Sequence, residues 1–254
     1  MYWNQQTYPT LERLDRQATV LILPVGAIEA HGPHLPMSTD DIISQAMAES
    51  ACRQLAAHQL QGLILPTWSF TPAGFARDFV GTLSFSPATT ASMLHDLGEN
   101  LARQGWELLA VANSHFDPGH LSSLKNALQD FPVKVAFPDV TRGKLARRLS
   151  AEFQSGACHA GQYESSIVLA RFPELVQPLS HLPDVSHSLV EAILQGKANF
   201  VEAGGPQAYF GNPRLATPEE GRATIEELGR ILLESILENK KKTGGTKPPA
   251  QGES

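Results

Sequence analysis

The stretch ATVLILPVGAIEAHGPHLPMSTDD, residues 18–41, places a run of apolar residues directly before a dense polar loop. Its first eight residues, Ala18–Val25, are rich in branched aliphatic side chains and end at Gly26, a pattern typical of a buried strand. Helical spacing follows the loop, because apolar residues recur every four positions from Ile43 onward. The sequence therefore predicts a strand, a polar loop and then a helix over Asp40–Leu55.

The same alternation continues along the chain. Further strands are predicted at Leu60–Pro66, Trp106–Ala112 and Val133–Phe137, and further helices at Ala88–Gln104, His120–Phe131, Ser165–Phe172 and Pro218–Asn239. The last helix carries a predicted capping box, with Thr217 as N-cap and Glu220 three residues later. Strands that are apolar throughout and separated by helices form parallel sheets covered on both faces. We therefore expect an α/β fold, in which a single domain over residues 1–239 holds a mainly parallel β-sheet flanked by helices on both faces. Residues 240–254, rich in Lys, Gly and Pro, are predicted to be a disordered C-terminal tail.

Composition and charge narrow the class of protein. The chain has 254 residues, 42% of them hydrophobic, and a formal net charge of −6. This acidic balance and the lack of a basic stripe argue against a nucleic-acid-binding surface. No apolar run approaches the roughly 20 residues that cross a bilayer, and the N-terminus lacks the features of a signal peptide. Two cysteines are too few for a secreted disulfide scaffold. We therefore expect a cytoplasmic protein with no nucleic-acid or membrane partner.

Two polar clusters lie directly after predicted strands. Glu29, His31 and Asp40 occupy the loop after the first strand, and His115 and Asp117 follow the third. Because the carboxyl ends of parallel strands lie at one edge of a sheet, where ligands bind, both clusters are expected at one site. Imidazole and carboxylate together suit Zn, Mn or Fe. For the first cluster alone, a polar loop with a helix cap is an equal alternative, but the repeated His–carboxylate pair favours a metal site.

A third cluster, HAGQYESS at residues 159–166, adds His159 and Glu164. In a shared pocket, these two side chains would supply a proton-transferring imidazole and a further carboxylate. His120 is expected instead to cap or begin the next helix. A thiol nucleophile at Cys158 is the less favoured alternative, because small buried cysteines are common.

The same segments carry a resemblance to a known family. The run PVGAIEAHGPHLPMSTD, residues 24–40, resembles the opening signature of the creatininase (creatinine amidohydrolase) family. The runs GTLS at 81–84, NSH at 113–115, HAGQYESS at 159–166 and GNPRLAT at 211–217 follow in the family's order. The resemblance extends from about residue 18 to residue 230, and its first motif is long and specific.

This resemblance implies a creatininase-like metallohydrolase domain that holds two divalent metal ions per chain (Zn, Mn or Fe). It implies that Glu29 and His31 each ligate one ion and that Asp40 bridges both. His115 would join Glu29 on the first ion. Asp117 stands where creatininase has a ligating Glu, although the surrounding Phe-Asp-Pro run departs from the family's pattern and Asp is one methylene shorter than Glu.

The resemblance also implies a reaction. The chain would be an amidohydrolase that hydrolyses a C–N bond of a small cyclic or linear amide through a metal-activated water. His159 corresponds to a proton-transferring histidine, which would protonate the departing nitrogen. Glu164 corresponds to an acidic residue near the metals and is expected, with His159, to be a catalytic group, with a role as ligand left open. The expected partners are a small-molecule amide substrate and further copies of the chain, since family members commonly form homo-oligomeric hexamers.

The natural substrate stays open at this point. Deformylase and peptidase-type members share the metal motifs, and a metal-binding homologue without activity is a further alternative. A dinuclear phosphoesterase fits the ligand types but not the motif order. Creatininase holds flat creatinine with tryptophans, one of them just before the HAG motif, whereas this chain has FQSG at 153–156, which argues against creatinine. Arg77 and Arg214 are candidates for holding an anionic substrate, although solvated surface charges are commoner.

Overall fold

Four parallel strands form the sheet at the centre of the structure. In the computed structural model, which describes residues 1–241, they are β1 (Thr19–Val25), β2 (Gln61–Ile64), β3 (Leu108–Asn113) and β4 (Lys134–Ala136). Their spatial order is β2-β1-β3-β4, and every pairing is parallel. The first strand therefore lies inside the sheet between β2 and β3, which agrees with its unbroken run of buried residues.

Nine α-helices surround this sheet within residues 1–241. They are α1 (Tyr8–Glu12), α2 (Thr39–Leu55), α3 (Pro87–Arg103), α4 (Pro118–Gln129), α5 (Gly143–Ala146), α6 (Ala151–Ser155), α7 (Gln162–Arg171), α8 (Leu189–Leu194) and α9 (Pro218–Lys241). Short 3-10 turns lie at Trp3–Gln5, Ala56–His58, Gly74–Ala76, Pro173–Leu175 and Pro213–Leu215. Over the described part of the chain, none of the helices combines the length and the apolar composition that a membrane span needs.

Helices cover both faces of the sheet. Val20 and Ile22 of β1 pack into a core with α2, α7 and α9, whereas Leu21 and Leu23 pack on the opposite face with α3 and α4. Because successive residues of a strand point to opposite faces, a strand buried on both sides is apolar at nearly every position, as β1 is after Thr19. The predicted α/β class, with a parallel sheet covered on both faces, is confirmed.

Two element boundaries differ from the prediction in ways that affect the site and the tail. Helix α7 begins at Gln162, three residues before its predicted start, so Glu164 lies in its first turn. Helix α9 continues two residues beyond its predicted end, to Lys241. The rest of the predicted tail, residues 242–254, lies outside the described residues.

The capping box predicted at the start of α9 forms only in part. Thr217 Oγ1 accepts a hydrogen bond from the backbone N–H of Glu220 at 3.2 Å, as an N-cap does. The Glu220 carboxylate does not return this bond, because it accepts from Gln162 and Ser166 of α7. The backbone N–H of Thr217 instead donates to Ser166 Oγ at 3.1 Å. These contacts join α7 to α9 in place of the second half of the box.

Candidate metal centre

The ends of β1 and β3 meet at one edge of the sheet. Val25 and Asn113 are paired in register, and the backbone N–H of Ser114 donates to the Val25 carbonyl at 3.2 Å. The loops that follow the two strands therefore enter the same space, as predicted. Six buried titratable side chains meet there, from these loops and from the starts of α2 and α7: Glu29, His31, Asp40, His115, His159 and Glu164.

The three histidines of this cluster are oriented in the same way, with one ring nitrogen bonded to a backbone carbonyl. Because a carbonyl only accepts, the bonded nitrogen carries the hydrogen, and the other nitrogen of a neutral ring offers a lone pair. Proteins commonly orient metal-ligating histidines by such a contact. His31 Nδ1 donates to the backbone carbonyl of Glu29 at 3.1 Å, His115 Nε2 to that of Pro72 at 2.7 Å and His159 Nε2 to that of Ala30 at 3.0 Å.

Asp40 lies between the two halves of the cluster. Its Oδ1 is 3.4 Å from His31 Nε2, and its Oδ2 is 3.0 Å from His115 Nδ1. Glu29 Oε1 lies 3.3 Å from that His115 nitrogen. Glu164 Oε2 lies 3.5 Å from that His31 nitrogen. The two oxygens of one carboxylate thus face two different His–carboxylate pairs, which is the arrangement that a bridging ligand requires.

Several buried atoms of the cluster lack a hydrogen-bond partner. Within residues 1–241, these atoms include Glu29 Oε2, His31 Nε2 and Asp40 Oδ2. An unpaired buried polar atom costs about 1–3 kcal/mol, and more when the group is charged. A cation among these acceptors would remove that cost, so the residues present fit a metal ion. Three groups place potential ligand atoms within 4.8 Å of one another: Glu29–His31–His159, Glu29–Asp40–His115 and His31–Asp40–Glu164.

The buried carboxylates of the cluster also favour proton binding by its histidines. Burial alone lowers the pKa of His31, but neighbouring carboxylates, chiefly Asp40 and Glu164, raise it to about 10. Burial likewise opposes a charge on His115, yet Glu29 and Asp40 raise its pKa well above the usual value. Burial raises the pKa of Glu164, and the charge of Asp40 adds to this shift. Protons and cations therefore compete for the same atoms.

A strained turn positions the third cluster. Ala160 has a φ of 51°, in the left-handed region that non-glycine residues rarely adopt. Its backbone N–H donates to Glu164 Oε2 at 2.6 Å, and its carbonyl accepts from His34 Nε2 at 2.9 Å. The turn directly follows His159. Its geometry therefore fixes His159 and Glu164 relative to each other.

Asp117, which the resemblance implied to be a ligand, lines the cavity beside the cluster but belongs to none of the three groups of potential ligand atoms. Asp117 is the N-cap of α4, and its Oδ1 accepts from the backbone N–H groups of Gly119 at 2.7 Å and His120 at 3.2 Å. Its Oδ2 accepts from the N–H of Phe75 at 3.0 Å. Asp is among the preferred N-cap residues, and Pro118 suits the first helical position. Both oxygens are thus used by backbone donors, and Glu164 supplies the carboxylate beside His31.

Other sequence candidates also lie outside the cluster. His120 lies within α4, as expected, where its Nε2 donates to Asn113 Oδ1 at 2.8 Å. Burial and two nearby carboxylates raise the pKa of the Cys158 thiol to about 12, which disfavours a thiolate nucleophile. Arg77 and Arg214 are exposed and do not line the cavity beside the cluster.

This cavity has a volume of about 50 Å³. The ring of Phe200 forms part of its wall and stacks on His159, with 4.2 Å between ring centroids. Nothing in the sequence predicts Leu189, Ile193 or Phe200 as wall residues, because the segment between α7 and α9 has no periodic pattern and no recognisable motif. The apolar or aromatic part of the wall consists of Phe75, Phe116, Pro118, Leu189, Ile193 and Phe200, and includes none of the three tryptophans.

Comparison with known proteins identifies a family model and relatives that match this chain. The creatininase family model, described as creatinine amidohydrolase, matches residues 4–236. A mycofactocin precursor peptide peptidase of Mycobacterium ulcerans (strain Agy99) is 26% identical over 212 residues, which cover 82% of this chain and 80% of that protein. A creatinine amidohydrolase of Pseudomonas putida is 32% identical over 171 residues, which cover 62% of this chain and 66% of that protein.

Solved structures share the fold. A protein from Bacteroides fragilis NCTC 9343 that is assigned as a creatinine amidohydrolase superposes with a TM-score of 0.71 at 24% identity. The superposition covers 95% of this chain and 96% of that protein's chain. A manganese form of creatininase and a Zn–Zn form of a mutant creatininase give TM-scores of 0.66 and 0.68 at 23% and 22% identity. Each covers 93% of this chain and 97% of its own. At these identities the likeness establishes the fold alone.

Proposed function

Because the chain belongs to the creatininase family, we propose that its buried cluster is the active site of a metal-dependent amidohydrolase that cleaves a C–N bond of a small amide. The relatives named above are an amidohydrolase and a peptidase, and both activities hydrolyse C–N bonds. The observation that carries the proposal is the position of Asp40, whose two carboxylate oxygens face two different histidines.

The proposed centre holds two divalent ions per chain. Glu29, Asp40 and His115 would hold the first ion, and His31, Asp40 and Glu164 would hold the second. Each ion would thus have two carboxylates and one histidine, with Asp40 shared. Nitrogen and oxygen donors together suit zinc and manganese. The manganese and Zn–Zn forms of creatininase support the same choice.

His159 is the proposed proton carrier. When bound, the metal supplies a Lewis acid that polarises the amide carbonyl and makes water a better nucleophile at neutral pH. Because His159 Nε2 donates to the Ala30 carbonyl, its Nδ1 is the accepting atom, and this atom lies 3.9 Å from Glu29 Oε1. Burial lowers the pKa of His159 well below its usual value. The ring therefore starts neutral, takes a proton from the attacking water at Nδ1 and then delivers it to the departing nitrogen.

A substrate screen tests the proposed function. The metal-loaded protein is incubated with creatinine, an N-formyl amine and N-acetylated amino-acid amides. The products measured are creatine from creatinine, and released amine or ammonia from the other amides. We expect hydrolysis of at least one amide, with loss of the activity after chelation. Two bound ions without hydrolysis of any amide would favour a metal-binding homologue that lacks activity. Release of phosphate from a simple ester, with no amide cleaved, would favour a dinuclear phosphoesterase.

Cleavage of a peptide is the second candidate. The peptidase of Mycobacterium ulcerans matches over 82% of this chain, against 62% for the creatinine amidohydrolase. Mass spectrometry of short peptides after incubation with the metal-loaded protein separates the two candidates. Loss of terminal residues would identify a peptidase, whereas conversion of creatinine without cleavage of any peptide would identify an amidohydrolase that acts on small amides.

We also propose a homo-oligomer, with the hexamer as first candidate because the creatininase resemblance implies it. A cytoplasmic location is proposed as well, since Cys52 and Cys158 are both free thiols and a reducing compartment keeps thiols unpaired. Light scattering of the purified chain measures the assembly. A monomer at micromolar concentration would contradict the oligomer.

A further inference from the structure

The cavity beside the cluster adjoins a larger groove. The cavity itself is about 50 Å³, enough for only a few water-sized groups. The groove is about 480 Å³, within the range of small-molecule binding sites. The two spaces share five wall residues: Phe116, Pro118, Cys158, Leu189 and Ile193. A substrate whose reacting amide lies at the cluster would therefore extend into the groove.

The groove has predominantly apolar walls. Its remaining apolar residues are Leu121, Ala146, Phe153, Gly156 and Val190. Its polar wall residues are Thr141, Gln154, Ser155, Ser188 and Glu191. Among residues 1–241, Glu191 is the one charged residue in the wall of the groove. No lysine or arginine from that part of the chain lines the groove or the cavity. An anionic group would find no positive partner here, whereas an aliphatic or aromatic group would be desolvated favourably.

Hydrogen bonds hold the wall that α8 forms. The backbone N–H groups of Leu189 and Val190 both donate to the Gly156 carbonyl, at 2.9 and 3.3 Å. Gly156 ends α6 with a φ of 79°, which favours glycine. A Cβ at this position would also lie 3.0 Å from Val190 Cβ, so glycine permits the close approach of α6 and α8. The groove between these two helices is thus formed before any ligand binds.

We propose that this groove is a specificity site, which binds an uncharged aliphatic or aromatic side chain on the residue next to the scissile amide. The inference rests on the hydrolase proposed for the cluster and names its substrate class: amides of amino acids such as leucine or phenylalanine. Substrates with carboxylate or phosphate groups at this position are rejected.

Three matched probes test the preference: N-acetyl-leucinamide, N-acetyl-glycinamide and the corresponding glutamate amide. In each probe the side chain lies between two amides, so it flanks the scissile bond whichever one is cleaved. For the metal-loaded protein, we expect kcat/KM for the leucine probe to exceed that for the glycine probe by roughly 10- to 200-fold. The glutamate probe should be poorer than the leucine probe.

Two variants of α8 assign the preference to the groove. Val190 lines the groove and is 47% exposed, whereas Leu194 on the same helix is 81% exposed and lines neither space. Val190→Lys should lower kcat/KM for the leucine probe about tenfold and shift the preference towards the glutamate probe. Leu194→Lys, the matched control, should keep the wild-type preference. Equal kcat/KM for all three probes, or the same preference in both variants, would overturn the groove proposal.

Ligand-observed NMR with the metal-loaded protein separates this proposal from the hydrolase proposal. Selective binding of the leucine probe that Val190→Lys weakens, without hydrolysis, would support the groove and contradict the hydrolase. Hydrolysis without side-chain preference would support the hydrolase and contradict the groove. Neither binding nor hydrolysis would contradict both.

Discussion

At the scale of single residues, the proposal gives His159 a different role from the proposed metal ligands. We expect His159→Ala to keep its bound metal but to lower kcat by about two to four orders of magnitude, the usual contribution of general acid–base catalysis. In the proposed mechanism its Nδ1 carries the proton, and His159 is not a ligand in either proposed ion site. Elemental analysis and steady-state kinetics of the same preparation measure both effects. His31→Ala is the control, because it should lose metal and activity together.

Asp117 and Glu164 offer a matched comparison of two carboxylates. Asp117→Asn should leave the metal content unchanged, because Asn also caps helices well and the residue is not a proposed ligand. Glu164→Gln should lose the second ion, because Glu164 Oε2 faces His31 Nε2 at 3.5 Å. Metal content per chain, measured for both variants, decides the assignment. The reverse pattern would restore Asp117 as the ligand.

Metal affinity should depend on pH. The pKa of His31 is raised to about 10, so this residue is protonated at neutral pH in the metal-free protein, and that proton must leave when the ion binds. Affinity should therefore rise as pH increases from 6 towards 10, by about tenfold per unit for each proton displaced. Calorimetric titration in buffers of different ionisation enthalpy measures both the affinity and the protons released. A pH-independent Kd would contradict the proposed ligation by His31.

At the scale of secondary-structure elements, a close approach at Gly26 positions Asp40. A Cβ on Gly26 would lie 2.7 Å from the backbone nitrogen of Asp41 and 2.8 Å from the carbonyl carbon of Asp40. Gly26→Ala should therefore displace the start of α2, lower stability by about 1–3 kcal/mol, and weaken metal binding. Thermal unfolding and metal titration measure the two effects.

Gly105→Ala is the control for this prediction. Gly105 has a φ of 76°, so alanine there is also strained, but no atom lies within 4 Å of the added Cβ. This variant should lose stability while its metal affinity stays at the wild-type value. Unchanged metal affinity in Gly26→Ala would show that the end of β1 does not position Asp40.

The two central strands, β1 and β3, were predictable from the sequence because they are buried along their whole length. The run at Ala18–Val25 has Thr19 as its one polar residue, and the polar clusters begin where such runs end. Parallel pairing then brings the loop containing Glu29 beside the one containing His115, whatever the details of the loops. Resemblance to the family added the individual roles, which spacing alone does not supply.

The remaining parts of the site depend on contacts that a linear pattern does not encode. An acidic residue before proline, as at Asp117, suits both a metal site and a helix N-cap, and only the backbone donors around it decide between them. The wall of the groove comes partly from α8, a helix of six residues that is too short to give a periodic signal. Phe200 is a single aromatic residue in an irregular segment, and only the structure places it against His159.

At the scale of the whole molecule, the proposed centre joins segments that are distant in the chain. Its ligands come from the loops after β1 and β3 and from the starts of α2 and α7, over residues 29–164. The sheet brings these segments together, and a bound ion would add stability in proportion to its affinity. Because Asp40 belongs to both proposed ligand sets, it is the one residue whose loss should affect both ions at once.

The most direct measurement is the number of metal ions per chain in the wild type and in Asp40→Ala, after dialysis against zinc or manganese. Our account predicts close to two ions for the wild type and close to none for Asp40→Ala, with both proteins folded by circular dichroism. A wild type that binds no metal, or an Asp40→Ala variant that keeps two ions, would contradict a paired centre that shares this carboxylate.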